Sequence, residues 1–430
     1  MDAATASLPL ADGLTLTLTP DGAGRWSCGV EPEGAAGAAE RLVEKLRGGR
    51  TLTHPAFRLH RHAIPPAAVG ERPIEVDQTN DSVVVGERIV VKWLRRVDDA
   101  THPAPETLAH LTEVNYQGIP KSYGALLWRT PSGREVPCGT VSAYLPGARD
   151  GYQWCVELAV DAVMRGTSRP DGARGDWVST FPARLGRLTA GLHAALATPS
   201  GVVPASVGVA DRARVSGWHG AAVRLLGRAS DAVAELDGAP AGPDGGGPPP
   251  VPPSESLAAA RDRLAAALDG LRDVDGPAVQ RVHGDLHVGQ VLRWSGGLAV
   301  VDFDGDPLAA QLTDAGSQGT AGTEGTEGWV QPAARDVAHL LVSLDQVGRI
   351  VDRMHGFELT AAVDAWSAAA RDRLLEGYVG ELATLGRTDL FDERLLAPFV
   401  AEQVCRDVLY AVHVLPRWAY AVTGGLHILV

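Results

Sequence analysis

Lysine is almost missing from this chain: of 39 lysines and arginines, only Lys45, Lys92 and Lys121 are lysines. With 50 glycines and 29 prolines, this is the usage expected of a high-GC, bacterial genome. A lysine kept against that bias marks a place where a planar guanidinium does not replace a compact ammonium. Cysteine is also scarce, and Cys28, Cys138, Cys155 and Cys405 form no CxxC pair. That excludes a disulfide framework or zinc ribbon and leaves reduced thiols. No apolar run approaches the ~18 residues of a membrane-spanning helix. The opening MDAATASLPLADG lacks the basic and apolar regions of a secretory signal, so a cytoplasmic location is expected. Positive charge is in deficit as well, with a formal net charge of -13. Such a balance argues against nonspecific binding to nucleic acid or anionic membranes, though not against a local basic pocket for phosphate.

What is present is ordinary globular material, 45% hydrophobic and 21% charged over 430 residues. At ~150 residues per domain that is roughly three domain equivalents, ample for a large core. The run LTLTLT at Leu14–Thr19 alternates as a half-buried strand does. Ser82–Val85 and Arg88–Trp93 flank Gly86-Glu87 as a hairpin, and Thr140–Leu145 reads as a third β segment before Pro146-Gly147. Helical periodicity then takes over at Trp154–Met164, Pro182–Leu196, Asp211–Leu236, Ser254–Leu271, Ala333–Met354, Ala361–Leu385 and Glu393–Val414. Asp237–Pro253 is a Gly/Pro connection inside the helical part, with Ser254 placed to cap the next helix. Gly316–Gly328 is a second low-complexity stretch, either a closing loop or an insertion without a role. The layout is α+β, a β-rich N-terminal part followed by a large helical part.

The chemistry concentrates in Val282–Leu292, VHGDLHVGQVL, and Leu298–Pro307, LAVVDFDGDP. Asp285 stands five residues before Gln290, and Asp302 follows on an apolar strand, the spacing of a kinase catalytic loop and its metal-binding aspartate. Phosphoryl transfer needs positioning and charge neutralisation more than covalent help. Asp285 would take the acceptor hydroxyl's proton, while Gln290 and Asp302 would offer oxygen ligands to Mg2+. His283 and His287 beside Asp285 open an alternative, a metal-hydrolase site, though two histidines on a loop make only a partial ligand set.

Lys92 lies on the strand pattern IVVKW, suited to pairing nucleotide phosphates, with Glu106 at a helix start downstream as its expected partner. No GxGxxG loop is present; the polar turn Gln78-Thr79-Asn80-Asp81-Ser82 stands in its place as the phosphate cap. Tyr144 and Leu145 belong to SAYLPGARDG, the expected hinge whose backbone binds adenine. In the helical part Arg335-Asp336 precedes AHLLVSLD, and Gln403, Asp407 and Tyr410 share one helix stripe. Trp418 follows, either stacking on a sugar ring or pinning the terminus.

Taken together, HGDLHxGQVL, VDFDGDP, QTNDSVVVGERIVVKW, AYLPGARDG and LPRWAY resemble the bacterial maltokinases. They resemble equally the actinobacterial maltokinase-like glucosamine kinases of the aminoglycoside-phosphotransferase-like superfamily. The resemblance runs from about Asp77 to about Trp418 and implies a bilobal, eukaryotic-protein-kinase-like fold with an N-terminal cap. It implies residues 1–76 as cap, 77–147 as nucleotide-binding lobe and 148–430 as catalytic, acceptor-binding lobe. It further implies ATP and Mg2+, Asp285 as base, Gln290 and Asp302 as metal ligands with Asp304 as a further one, and the Arg335-Asp336 segment beside the sugar. Carboxylates at Asp336 and Asp407 favour a cationic amino sugar, so glucosamine phosphorylated at its 6-hydroxyl is the expected reaction. Maltose phosphorylated at its anomeric hydroxyl is the competing one. A pseudokinase that only binds sugar or nucleotide, and an antibiotic phosphotransferase, complete the alternatives. If the lysine count has the meaning given above, Lys92→Arg lowers ATP turnover; unchanged turnover and ATP affinity would remove that meaning.

Overall fold

The computed structural model describes residues 5–429 apart from 12, 23, 34–35, 50–51, 53, 75–79, 101, 166–171, 239–248 and 306–328. Gln78, Thr79, the Gly316–Gly328 stretch and the middle of the Asp237–Pro253 connection therefore lie outside the described residues. The chain divides into two compact units of mixed helix and sheet, in keeping with the α+β reading. One comprises Met1–Ala148, Ser200–Pro204 and Trp294–Asp304; the other comprises Arg149–Pro199, Ala205–Arg293 and Gly305–Val430. No helix among the described residues is long and apolar enough to cross a membrane. All four cysteines are buried and unbridged.

The first unit is built on two antiparallel sheets. The four-stranded sheet runs β1 (Ala6–Ala11), β2 (Leu14–Pro20), β3 (Arg25–Glu31), β8 (Arg96–Asp98). The six-stranded sheet runs β4 (Phe57–Arg61), β9 (Ser122–Arg129), β10 (Glu135–Ala143), β7 (Ile89–Trp93), β6 (Asp81–Val85), β5 (Glu71–Pro73). Residues 1–76 and 77–147 thus share both sheets, because β8 joins the first and β4 and β5 join the second. The LTLTLT alternation lands as read: Leu16 and Leu18 are fully buried while Thr19 is exposed. They enter one apolar cluster with Leu42 and Leu46 of the helix Ala38–Arg47, Val91 and Trp93 of β7, and Trp128 of β9. The β6–β7 hairpin closes through Arg88 N–H donating to the Val85 carbonyl. Gly86 and Glu87 both have positive φ, the turn whose twist matches the strands. The third β segment starts earlier than its alternation suggested, at Glu135, because β10 spans the sheet between β9 and β7.

The second unit is helical. Its long helices are Gly151–Arg165, Gly172–Leu196, Arg212–Ala232, Pro253–Asp269, Ala334–Met354, Thr360–Thr384 and Leu396–His413. Pro182 does not start its helix but lies inside it. The buried row Val178, Phe181, Leu185 and Leu192 runs through the proline, and that burial offsets the one backbone donor it removes. Ser254 is not the cap of its helix either; its N–H and hydroxyl both donate to the Asp237 carboxylate. The helices Gly172–Leu196 and Thr360–Thr384 touch backbone to backbone. A Cβ on Gly186 would stand 2.1 Å from the Leu374 carbonyl oxygen, and one on Gly377 would stand 2.3 Å from that of Ala183. Gly377→Ala forces the pair apart and should cost ~1–3 kcal/mol, read as a lower thermal midpoint.

Candidate active site

The loop from Val282 to Gln290 follows the short strand Ala278–Arg281 and is held by neighbours on several sides within the second unit. Asp336, in the first turn of Ala334–Met354, accepts the His283 N–H at 2.8 Å and the Gly284 N–H at 3.0 Å. His193 backs the same carboxylate at 3.1 Å, and its other ring nitrogen meets the Tyr378 hydroxyl at 2.8 Å. Asp336 is 1% exposed. Burial pushes its carboxyl up, but His193 and the His283 N–H more than offset this and hold it below the usual range. Further along, Val288 N–H donates to the Ser343 hydroxyl and the Trp154 indole donates to the Val291 carbonyl. The helix Gly151–Arg165 abuts the loop at Gly151, where a Cβ would lie 1.6 Å from the Val288 carbonyl oxygen. Glycine is obligatory there.

Asp285 is the loop residue whose carboxylate faces other titratable groups. His339 Nδ1 stands 3.7 Å from one oxygen and His287 Nε2 stands 3.9 Å from the other. Tyr152 continues the cluster, its ring 5.7 Å from His287 and 5.2 Å from Trp418. Burial pushes the Tyr152 hydroxyl well above its ordinary value, with Asp407 and Asp285 adding to the shift. That hydroxyl donates to Gln346 Oε1, and the Gln346 amide donates to Asp407 at 2.7 Å. Gln403 donates to the other Asp407 oxygen at 2.8 Å. Asp285, His287, Tyr152, Gln346, Asp407, Gln403 and Trp418 therefore form one connected polar and aromatic cluster. Tyr410 lies a turn further along the helix and is half-buried.

In the first unit Lys92 pairs with Asp302 at 3.1 Å and Asp304 at 3.5 Å. Burial lowers the lysine, and the two carboxylates outweigh it, so Lys92 rests above its ordinary value. Asp304 is raised as well: burial first, then the neighbouring Asp302, push it up against the pull of Lys92. Asp302 has φ +66°, an uncommon conformation for a residue with a Cβ. Ser82 faces Lys92 directly across the β6–β7 ladder.

Several expectations change. Lys92 has Asp302 and Asp304 as ion-pair partners, and Glu106 lies in the first turn of the helix Ala104–Glu113. Tyr144 N–H donates to the Arg88 carbonyl, and the Leu145 carbonyl closes a turn with Ala148 N–H. Asp336 and Arg335 do not face the acceptor cluster. Asp336 is enclosed by loop amides, and Arg335 pairs with the buried Glu402 at 2.7 Å over the Phe399 ring. Burial raises Glu402, yet Arg335 and Arg406 outweigh it and hold it at about 2. Among the described residues no group of three His, Cys, Asp or Glu side chains is arranged to hold a metal, including His283 and His287. Sequence reading missed Tyr152, His193, His339, Gln346 and Glu402. The spacing of Asp336, His339, Ser343 and Gln346 was the available signal, a polar stripe on an otherwise buried helix.

Asp336→Asn keeps the volume but replaces an acceptor with a donor facing amide N–H groups. It should cost ~3–5 kcal/mol, as breaking buried pairs does, and lower turnover. The depressed carboxyl contributes stability above the ordinary carboxylate value, and that stability is lost as pH falls through the folded value. The variant should lack this acid-sensitive part in acid-unfolding curves.

No family model matches the chain. It is 37% identical over 411 residues to a glucosamine kinase of Streptacidiphilus jiangxiensis, covering 93% of this chain and 84% of that one. It is 33% identical over 391 residues to a glucosamine kinase of Mycolicibacterium smegmatis, covering 91% and 87%. A solved glucosamine kinase in complex with glucosamine, ADP and inorganic phosphate superposes with a TM-score of 0.75 at 33% identity, covering 98% of this chain and 93% of that one. The chain belongs to the glucosamine kinase family.

Proposed function

We propose that this chain transfers the γ-phosphoryl group of ATP to the 6-hydroxyl of glucosamine, with Asp285 as the base. The acceptor oxygen forms a bond to the γ-phosphorus as the bond to the β,γ-bridging oxygen breaks. The hydroxyl proton goes to Asp285, and ADP leaves with the electron pair. The observation that carries the amino-sugar reading is the Asp407 carboxylate, oriented by the Gln346 and Gln403 amides within the same cluster as Asp285. A carboxylate so fixed suits the sugar's ammonium, whereas a neutral disaccharide gains only hydrogen bonds from it. The Tyr152 and Trp418 rings supply an apolar wall for the sugar.

Lys92 would hold the α/β phosphates, with Ser82 opposite it. Asp302 and Asp304 offer oxygen ligands alone, the donor chemistry a hard divalent cation takes, and burial first, with Asp302 beside it, raises Asp304. They fit Mg2+, with Gln290 as the carbonyl ligand. The ion would supply charge neutralisation at the β and γ phosphates. Residues 148–430 would then carry acceptor binding, and 77–147 nucleotide binding.

A panel of acceptors assayed by ADP release tests this. Asp285→Asn should lower turnover by ~10²–10⁴, and Asp407→Asn should raise the glucosamine KM more than it lowers kcat. Turnover of maltose with glucosamine ignored would overturn the reading in favour of a maltokinase.

A further inference from the structure

The helix Ala334–Met354 presents Asp336, His339, Ser343 and Gln346 at intervals of three, four and three residues, one stripe of a helix. Asp336 holds the start of the catalytic loop, Ser343 holds its end, and Gln346 orients Asp407. His339 is the residue of this stripe whose ring stands beside the Asp285 carboxylate. Its Nδ1 stands 3.7 Å from Asp285 Oδ1, while His287 Nε2 stands 3.9 Å from Oδ2, so each carboxylate oxygen has one imidazole beside it. His287 Nδ1 accepts the Gly289 N–H, which leaves the proton of its neutral ring on Nε2, toward Asp285.

We propose that His339 is a positioning residue that, with His287, fixes the plane of the Asp285 carboxylate toward the acceptor hydroxyl. The proposal rests on Asp285 being the base. The separations are longer than hydrogen bonds, as catalytic contacts often are before the substrate is bound. The charge state of the ring suits the task. The groups facing it are Asp285, His287 and His283 from the loop, Asp336 from its own helix and Arg406 from Leu396–His413. Burial first, then His287, pulls His339 well below its ordinary value despite Asp336, so the ring is neutral at pH 7. A cation at this distance would lower the basicity of Asp285, whereas a neutral donor orients it and leaves it a base.

His339→Leu removes the ring nitrogen and keeps an apolar volume. Its kcat should fall ~10–100-fold, as for a misplaced catalytic group, with KM for ATP and glucosamine within about twofold of wild type. His339→Asn sets an amide nitrogen near the Nδ1 position and should recover most of the lost kcat. Wild-type kcat in the leucine variant overturns the proposal, as does an asparagine variant with wild-type melting temperature that is no faster than the leucine one. Should the leucine variant fail to fold, the asparagine variant decides alone: folded with near wild-type kcat it supports the proposal, and folded but slow it refutes it. Full activity in Asp285→Asn would instead refute Asp285 as base, a separate failure from that of His339.

Discussion

The loop that carries Asp285 depends on one buried carboxylate, Asp336, which accepts two of the loop's amide N–H groups. A loop of the His283-Gly284-Asp285 kind has few regular hydrogen bonds, and Gly284 has φ +85°. Such a segment needs an outside acceptor for its N–H groups or it does not keep one conformation. Asp336 supplies both acceptors, and His193 with Tyr378 keeps it ionised and in place at the cost of burying charge. Because Asp336 begins the helix Ala334–Met354, the direction of that helix relative to the loop is set. His339, Ser343 and Gln346, about one, two and three turns further, then meet Asp285, Val288 N–H and Asp407.

The same logic explains why glycine appears where helices meet the machinery. Gly151 lets one helix approach the Val288 carbonyl closer than any Cβ permits, and Gly186 with Gly377 does the same for the helix pair that encloses His193 and Tyr378. Glycine weakens a helix by ~1 kcal/mol relative to alanine. These positions accept that loss because the close packing also fixes the relay from Tyr378 to Asp336.

Much of this was legible in the sequence, and the rest was hidden for identifiable reasons. LTLTLT, the Gly86-Glu87 hairpin and the long helices declare themselves through period and turn chemistry, which are local. The motif HGDLHVGQVL with VDFDGDP pointed to phosphoryl transfer, and the relatives bear out the family. Pro182 and Ser254 misled because a start signal is only a preference, which burial of Phe181 and the Asp237 carboxylate overrode. Strands β1 and β3 and the helix Ala38–Arg47 were passed over, since short segments become decisive only through the shared core around Leu16, Trp26 and Trp128. Arg335 and Asp336 were noticed as polar residues on a core helix. Which side of the helix they serve is a tertiary fact: Arg335 answers Glu402, and Asp336 answers the loop.

Charge is arranged differently in the two units. In the first, Lys92 lies against Asp302 and Asp304, opposite charges that stay partly exposed and can exchange partners. An anionic ligand entering here would bring its own charge and would have to displace an existing pair. In the second, Asp285 has the imidazoles of His339 and His287 beside it, and Arg335 and Arg406 both pair with Glu402. A guanidinium beside Asp285 would depress it and weaken it as a proton acceptor. The Arg335–Glu402–Arg406 cluster joins two helices, and its two cations hold the buried Glu402 carboxylate at about 2 against the upward push of burial.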